Sequence, residues 1–395
     1  MKFHEVPDGI LERLYDHCSL RDRAILSSTC SSLSRIRSRD HTVDVTLWTG
    51  MDIVSFSKWM VSRADTITVL RAKLATAHPE PIIDFVYDLM AIRNSLRHLS
   101  LTVPWNSDST TPDTMLFYTL ASLNHLRLLL LDGIPFDGRV RLSALQSLTT
   151  IHLLKGLEIS PDYTASLSGI CDAPALKTLC IHDISGTVEM DSVRHLTTLE
   201  HLELYGNEIW TNIVNDLSPL KDLTTLRHLE VDAWSELDLT PLYGLTNLTV
   251  LDLATRPLPP DGEILDGTAL ATLASRLPNL RYLGCRDASL PSFTHPTLED
   301  LTFSIWSFAE SMVDDFTWSG LSALKTIHIA EAFEALLRDE VHDAAIPIMN
   351  EHPVSIDLLT STDDTDAAMM RWMNFATRTN GQSQFTLSKS PHISN

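Results

Sequence analysis

Residues 199–209 read Leu199-Glu200-His201-Leu202-Glu203-Leu204-Tyr205-Gly206-Asn207-Glu208-Ile209. The apolar anchors Leu199, Leu202 and Leu204 are spaced three and then two apart. The two-residue step is the period of a strand, whose alternate side chains face opposite sides. The same spacing returns at Leu96/Leu99/Leu101, Leu126/Leu129/Leu131, Leu148/Ile151/Leu153, Leu176/Leu179/Ile181, Leu226/Leu229/Val231, Leu248/Leu251/Leu253, Leu280/Leu283/Cys285, Leu298/Leu301/Phe303 and Leu324/Ile327/Ile329. Successive units start 18 to 32 residues apart. Such uneven spacing predicts two kinds of return segment. The longer ones read as helices, as at 112–123 and 267–277 where apolar residues recur at three- and four-residue steps, and the shorter ones as turns.

A leucine pattern of this spacing and period is the signature of a leucine-rich repeat solenoid. The expected fold is therefore α/β, with parallel strands on the concave face and helices and turns on the convex face. No repeat covers its own apolar side, so neighbours must stack. Irregular first repeats begin near residue 42, with strands over 42–47 and 67–70, each followed by a helix (53–64 and 82–92). After residue 329 the same grammar predicts helices over 332–345 and 364–377 and strands over 354–359 and 385–387. The solenoid is thus assigned to 42–388 and a disordered tail to 389–395.

In 395 residues, 44% are hydrophobic, ample for a continuous core. There is no apolar run near 18 residues, so no membrane span or membrane partner is expected. Met1 to Glu5 carries charge without a following apolar stretch, which argues against a secretory signal and for a cytoplasmic or nuclear protein. Cys18, Cys30, Cys171, Cys180 and Cys285 are odd in number and lack metal-ligand spacing, so they read as reduced, small apolar residues. The formal charge of −21 excludes general nucleic-acid binding, which needs a basic stripe against the phosphates. It keeps a long apolar stack soluble and permits attraction to basic peptides.

Residues 1–41 depart from the repeat. Val6-Pro7-Asp8-Gly9-Ile10-Leu11-Glu12-Arg13-Leu14-Tyr15 reads as a short helix opened by proline, with Ile10, Leu11, Leu14 and Tyr15 on one face. Ser19-Leu20-Arg21-Asp22 places a hydroxyl three residues before a carboxylate, a capping-box pattern. The second helix that it opens carries Ile25, Leu26, Thr29, Cys30 and Leu33 on one side. In residue type, order and spacing this all-helical segment resembles an F-box: Val6 and Pro7, Asp8, Ile10 and Leu11, Leu14 and Tyr15, Arg21 and Asp22, then Cys30. It departs from that family where Ser31, Ser32 and Leu33 replace the usual basic residue and tryptophan, and where Val6 stands for leucine. The resemblance implies docking on the Skp-family adaptor of an SCF-type cullin-RING ubiquitin ligase, and through the adaptor on a cullin. Pro7, Ile10, Leu11, Leu14, Ile25, Leu26 and Cys30 would form or support that docking face. The attached repeats would select a protein substrate. A plain helical cap on the first strand is the alternative; it accounts for the helices but not for the Pro-Asp-x-Ile-Leu opening.

The strand register also gives the row on the open face. Thr178, Cys180 and His182; His201, Glu203 and Tyr205; His228, Glu230 and Asp232; Val250, Asp252 and Ala254; and Tyr282, Gly284 and Arg286 are the outward positions. Strands 4.8 Å apart would set Glu203, Glu230 and Asp252 in one acidic ladder beside His201 and His228. The expected substrate-binding set is His201, Glu203, Tyr205, His228, Glu230, Asp232, Asp252 and Tyr282, with the two tyrosines as aromatic anchors for a basic or hydroxyl-bearing segment. A plain wetted surface is the competing reading. Histidine and carboxylate can also ligate Zn²⁺. No compact ligand motif supports a metal, so no metal or cofactor is assigned. Asn207 matches the consensus asparagine that ties adjacent turns. Trp105, Trp210, Trp234 and Trp306 follow strands and either rim a binding site or cover the core. No phosphate loop, nucleophile elbow or His-Glu-x-x-His helix is present, so catalysis is not expected. An interaction scaffold without ligase partnership is the runner-up. A GTPase-activating protein of the acidic leucine-rich-repeat type ranks below it, since there is no acidic tail.

Overall fold

The computed structural model describes residues 42–75, 79–103, 114–133, 141–154, 157–158, 164–185, 187–206, 214–232, 237–254, 267–285, 293–304, 320–330, 355–360 and 385–389. The F-box-like residues 1–41, Asn207, the four tryptophans named above and the expected helices over 332–345 and 364–377 lie outside them. The chain divides into two compact units, 1–158 with 166–181, and 159–165 with 182–395.

In the first unit, β1 (Thr42–Leu47), β2 (Val69–Leu74), β3 (His98–Thr102), β4 (Leu128–Asp132), β5 (Thr150–Leu154) and the start of β8 (Thr178–Ser185) pair in that order, all parallel. The short β6 (Leu157–Glu158) lies off this path. The register joins Val43, Leu70, Leu99, Leu129, Ile151 and Leu179 into one row. Each of them is fully buried or within 1% of it.

In the second unit the end of β8 is followed by a small pair, β7 (Thr164–Ser166) with β9 (Thr187–Glu189). Then come β10 (His201–Gly206), β11 (His228–Asp232), β12 (Val250–Ala254), β13 (Tyr282–Cys285), β14 (Asp300–Ser304), β15 (Thr326–Ala330), β16 (Ser355–Thr360) and β17 (Phe385–Lys389). They are parallel in that order, with Leu202, Leu229, Leu251, Leu283, Leu301 and Ile327 in one row, each at 0% exposure. Burying each such side chain contributes about 1.5–3 kcal/mol. Every strand of these ladders points the same way, which fits crossover repeats and excludes hairpins. Each unit is thus a leucine-rich repeat stack, as the spacing predicts.

Return segments broadly follow length, although the 27-residue steps from β1 to β2 and from β10 to β11 take different forms. The longer ones carry helices at Gly50–Val61, Pro79–Asp88, Thr114–Ala121 and Gly267–Arg276. The first opens on a capping box in which Thr49 and Asp52 exchange backbone and side-chain bonds at 3.1 and 3.2 Å. The shorter ones turn in 3-10 helices, at Met190–His195, Ser218–Leu220 and Thr240–Gly244. Leu217, Leu220, Leu223 and Leu226, and again Leu239, Leu242, Leu245 and Leu248, are buried at three-residue intervals. That is the period at which a 3-10 turn keeps one side inward. Asp216 and Asp238 open these turns, each accepting from the backbone and hydroxyl of the residue two further on, at 2.7–2.9 Å. Those Thr240 bonds hold the Asp238 carboxyl below its ordinary range.

Most element boundaries shift by one to three residues from expectation, and two shifts have a visible cause in the strand pairing and burial. The strand expected over 67–70 runs from Val69 to Leu74, because Ala72 and Leu74 continue the buried alternation. The last strand, expected over 385–387, runs on to Lys389, which pairs with Thr360. Among the described residues, no helix is long and apolar enough to cross a membrane. Cys171 and Cys180 are both buried, and burial together with the neighbouring Asp172 pushes the Cys171 thiol up to about 12.

Candidate functional site

The tripeptide His-Leu-Glu occurs at 201–203 and again at 228–230. Parallel pairing sets them in exact register, His201 against His228 and Glu203 against Glu230. With the leucines turned into the core, alternation sends all four polar side chains to the other face. The two imidazole rings stack at 3.8 Å with an interplanar angle of 11°. Both present Nε2 to one carboxylate oxygen, Glu203 Oε1, at 2.5 Å from His201 and 3.6 Å from His228. The Nε2 of His228 also lies 2.6 Å from Glu230 Oε1.

The remaining carboxylate oxygens are held from outside this quartet. Glu203 Oε2 lies 2.9 Å from Nε2 of His182, at the end of β8, and Glu230 Oε2 accepts from the Tyr205 hydroxyl. His182 and Tyr205 meet edge to face, ring centroids 5.1 Å apart. Burial by itself would raise the Glu203 pKa. The hydrogen bonds of His182 and His201, and the positive charge these rings carry when protonated, outweigh it and hold the carboxyl well below the usual range.

A second group lies farther along the same face. Tyr282 reaches Asp252 Oδ2 at 3.3 Å and accepts from the Thr302 hydroxyl at 2.8 Å, while its ring centroid lies 6.5 Å from that of His328. Gly284 makes room for this: a Cβ there would fall 2.4–2.7 Å from the Asp252 carboxylate. Asp232 turns away, its Oδ2 accepting from the Gly206 backbone N–H at 2.7 Å.

The structure therefore joins His201, Glu203, Tyr205, His228 and Glu230 in one network and places Asp252 and Tyr282 in another. It corrects the expectation that this row is solvent-facing. Cys180, Tyr205, Asp232 and Asp252 are buried, at 1, 8, 3 and 2% exposure. The physical reason is that strands so close together let long side chains cover their shorter neighbours. Both tyrosines use their hydroxyls on internal carboxylates, and neither presents a free anchor. His182, Thr302 and His328 were absent from the expected set. Thr302 and His328 follow Gly284 in the row that begins at Glu203 and Glu230, so carrying the same register two strands further finds them.

No protein-family model and no curated protein matches this chain. Among solved structures, an internalin (inlF) from Listeria monocytogenes is 17% identical, with 69% of this chain and 76% of that one covered at a TM-score of 0.36. Internalin C2 (inlC2) from the same organism is 16% identical over 54% of this chain and 83% of its own, at a TM-score of 0.33. The repeat assignment rests on the strand ladder and its leucine row.

Proposed function

We propose that the protein is the substrate-recognition subunit of an SCF-type cullin-RING ubiquitin ligase. The observation that carries this reading is the order Val6-Pro7-Asp8, Ile10-Leu11, Leu14-Tyr15, Arg21-Asp22 and Cys30, resembling an F-box and followed at Thr42 by the first strand of a repeat stack. In this reading Pro7, Ile10, Leu11, Leu14, Ile25, Leu26 and Cys30 dock on the Skp-family adaptor, and the stack holds a protein substrate. The chain is not the catalyst. It raises the effective concentration of substrate lysines at a ubiquitin carrier held elsewhere in the assembly. The half-buried polar face with His201, Glu203, His228 and Glu230 supports a protein ligand, because its donors and acceptors are already oriented.

Calorimetric titration of the full chain with the Skp-family adaptor tests the proposal, beside a variant carrying Leu11→Asp and Leu14→Asp. Tight binding that the variant loses, with its circular dichroism unchanged, is expected. A folded parent that does not bind leaves the runner-up, an interaction scaffold working outside any ligase.

A further inference from the structure

We propose that His201, His228, Glu203 and Glu230 form a binding site for a divalent transition-metal ion of the zinc class; it occupies the polar face assigned above to a protein ligand and does not depend on adaptor docking. Glu203, His228 and Glu230 each offer a ligand atom within 4.8 Å of the others. His201 Nε2 joins them through its 2.5 Å approach to Glu203 Oε1. Neither His-x-Glu pair is a ligand motif alone; the in-register pairing of β10 with β11 brings Glu203, His228 and Glu230 together and sets His201 against Glu203.

Proton sharing among histidines and glutamates is the competing account of this cluster, and three features favour a cation. First, both imidazoles aim the same nitrogen at the same oxygen, a convergence that one bridging proton does not need. Second, the two carboxylates are arranged alike: each has Oε2 engaged from outside, by His182 or Tyr205, and Oε1 turned toward the imidazoles. Outer hydrogen bonds of this kind fix the orientation of ligating carboxylates and imidazoles in metal centres. Third, the donors sit on the ladder strands of the stack, whose backbones are fixed on both edges, so the constellation costs little to order.

The donor set selects the ion. Two imidazole nitrogens with two carboxylates suit Zn²⁺ and its neighbours, whereas Ca²⁺ and Mg²⁺ take oxygen shells. Donors bonded at about 2.0–2.1 Å in a tetrahedral shell stand roughly 3.3 Å apart. The 3.6 Å pair is close to that spacing, and the 2.5 and 2.6 Å pairs must widen by about 0.8 Å to admit the ion. Side-chain exposures of 12–29% leave the site open to an entering ion.

The test is titration of the full chain, stripped with chelator, with Zn²⁺ by calorimetry and with Co²⁺ by visible absorption. One ion per chain and an intense tetrahedral Co²⁺ spectrum are expected. His228→Ala and Glu203→Gln abolish both, His182→Ala weakens binding about ten- to a hundredfold, and His98→Ala, on β3, changes nothing. X-ray absorption of the Zn²⁺-loaded parent needs no variant, and imidazole scattering in its first shell supports the site. An all-oxygen shell, no uptake, or uptake that survives in a folded His228→Ala protein overturns the proposal.

Discussion

Glu203 is the residue on which the polar face turns, because one carboxylate serves His182, His201 and His228 at once. Its folded pKa lies below its unfolded value, so it stabilises the protein above the ordinary carboxylate pKa near 4.3, and that contribution is lost as pH falls toward the folded value. The facing titratable groups are His182, His201, His228, Glu230 and Tyr205. Glu203→Gln is expected to cost about 1–3 kcal/mol in urea unfolding at neutral pH with chelator present. The gap between parent and variant then narrows steadily on acidification below about pH 4. A gap independent of pH would mean that Glu203 contributes shape and not charge. At this scale, strand alternation made the row legible, and His201, Glu203, His228 and Glu230 share one face as read. Burial was not legible. Tyr205 and Asp252 are covered by neighbours from other repeats, and the space above Gly284 exists only once β12 and β13 are paired.

The elements are tied by a side-chain ladder at a position that the repeat consensus does not mark. The residue just before the first leucine of a unit reaches back to a carbonyl of the preceding turn. Ser95 donates to Ala64, Thr225 to Thr197, Asn247 to Thr224 and Asn279 to Thr246, at 2.5–3.0 Å. Thr297 bonds Pro278 and Leu280 in the same way. Hydroxyl and amide both serve, since the requirement is one donor aimed at an otherwise unpaired turn carbonyl. Asn279→Ala is therefore expected to lower stability by about 1 kcal/mol in thermal or urea unfolding, and Asn279→Thr to recover most of it. Equal losses in the two variants would assign the effect to packing. The split between helical and 3-10 return segments was legible from repeat length at steps of 22 and 32 residues, but not at 27, where both kinds occur. Asp-Leu-Ser-Pro-Leu at 216–220 and Asp-Leu-Thr-Pro-Leu at 238–242 carried the turn signal more directly. Their three-residue period falls between those of strand and α-helix, so a reading tuned to these two passes over it.

At the scale of the whole molecule, stability in a repeat stack is carried between neighbours and not by one shared core. Leu251 shows how this works. It is fully buried in β12, in register with Leu229 and Leu283. The carbonyl of Thr249, at the foot of the same strand, accepts from the backbone of both Arg281 and Tyr282 at 2.8 and 3.0 Å, fastening the next repeat. Truncating Leu251 removes apolar contact from both sides of its strand at once, and the adjoining leucine rows hold the backbone so that the space does not collapse. Leu251→Ala is expected to cost about 2–5 kcal/mol. Hydrogen exchange then locates the cost. Amides of β11, β12 and β13 are expected to lose protection, while β1, β2 and β3, in the other compact unit, keep theirs. If all these strands lost protection together, the two units would unfold as one cooperative body, and the nearest-neighbour account of this chain would fall.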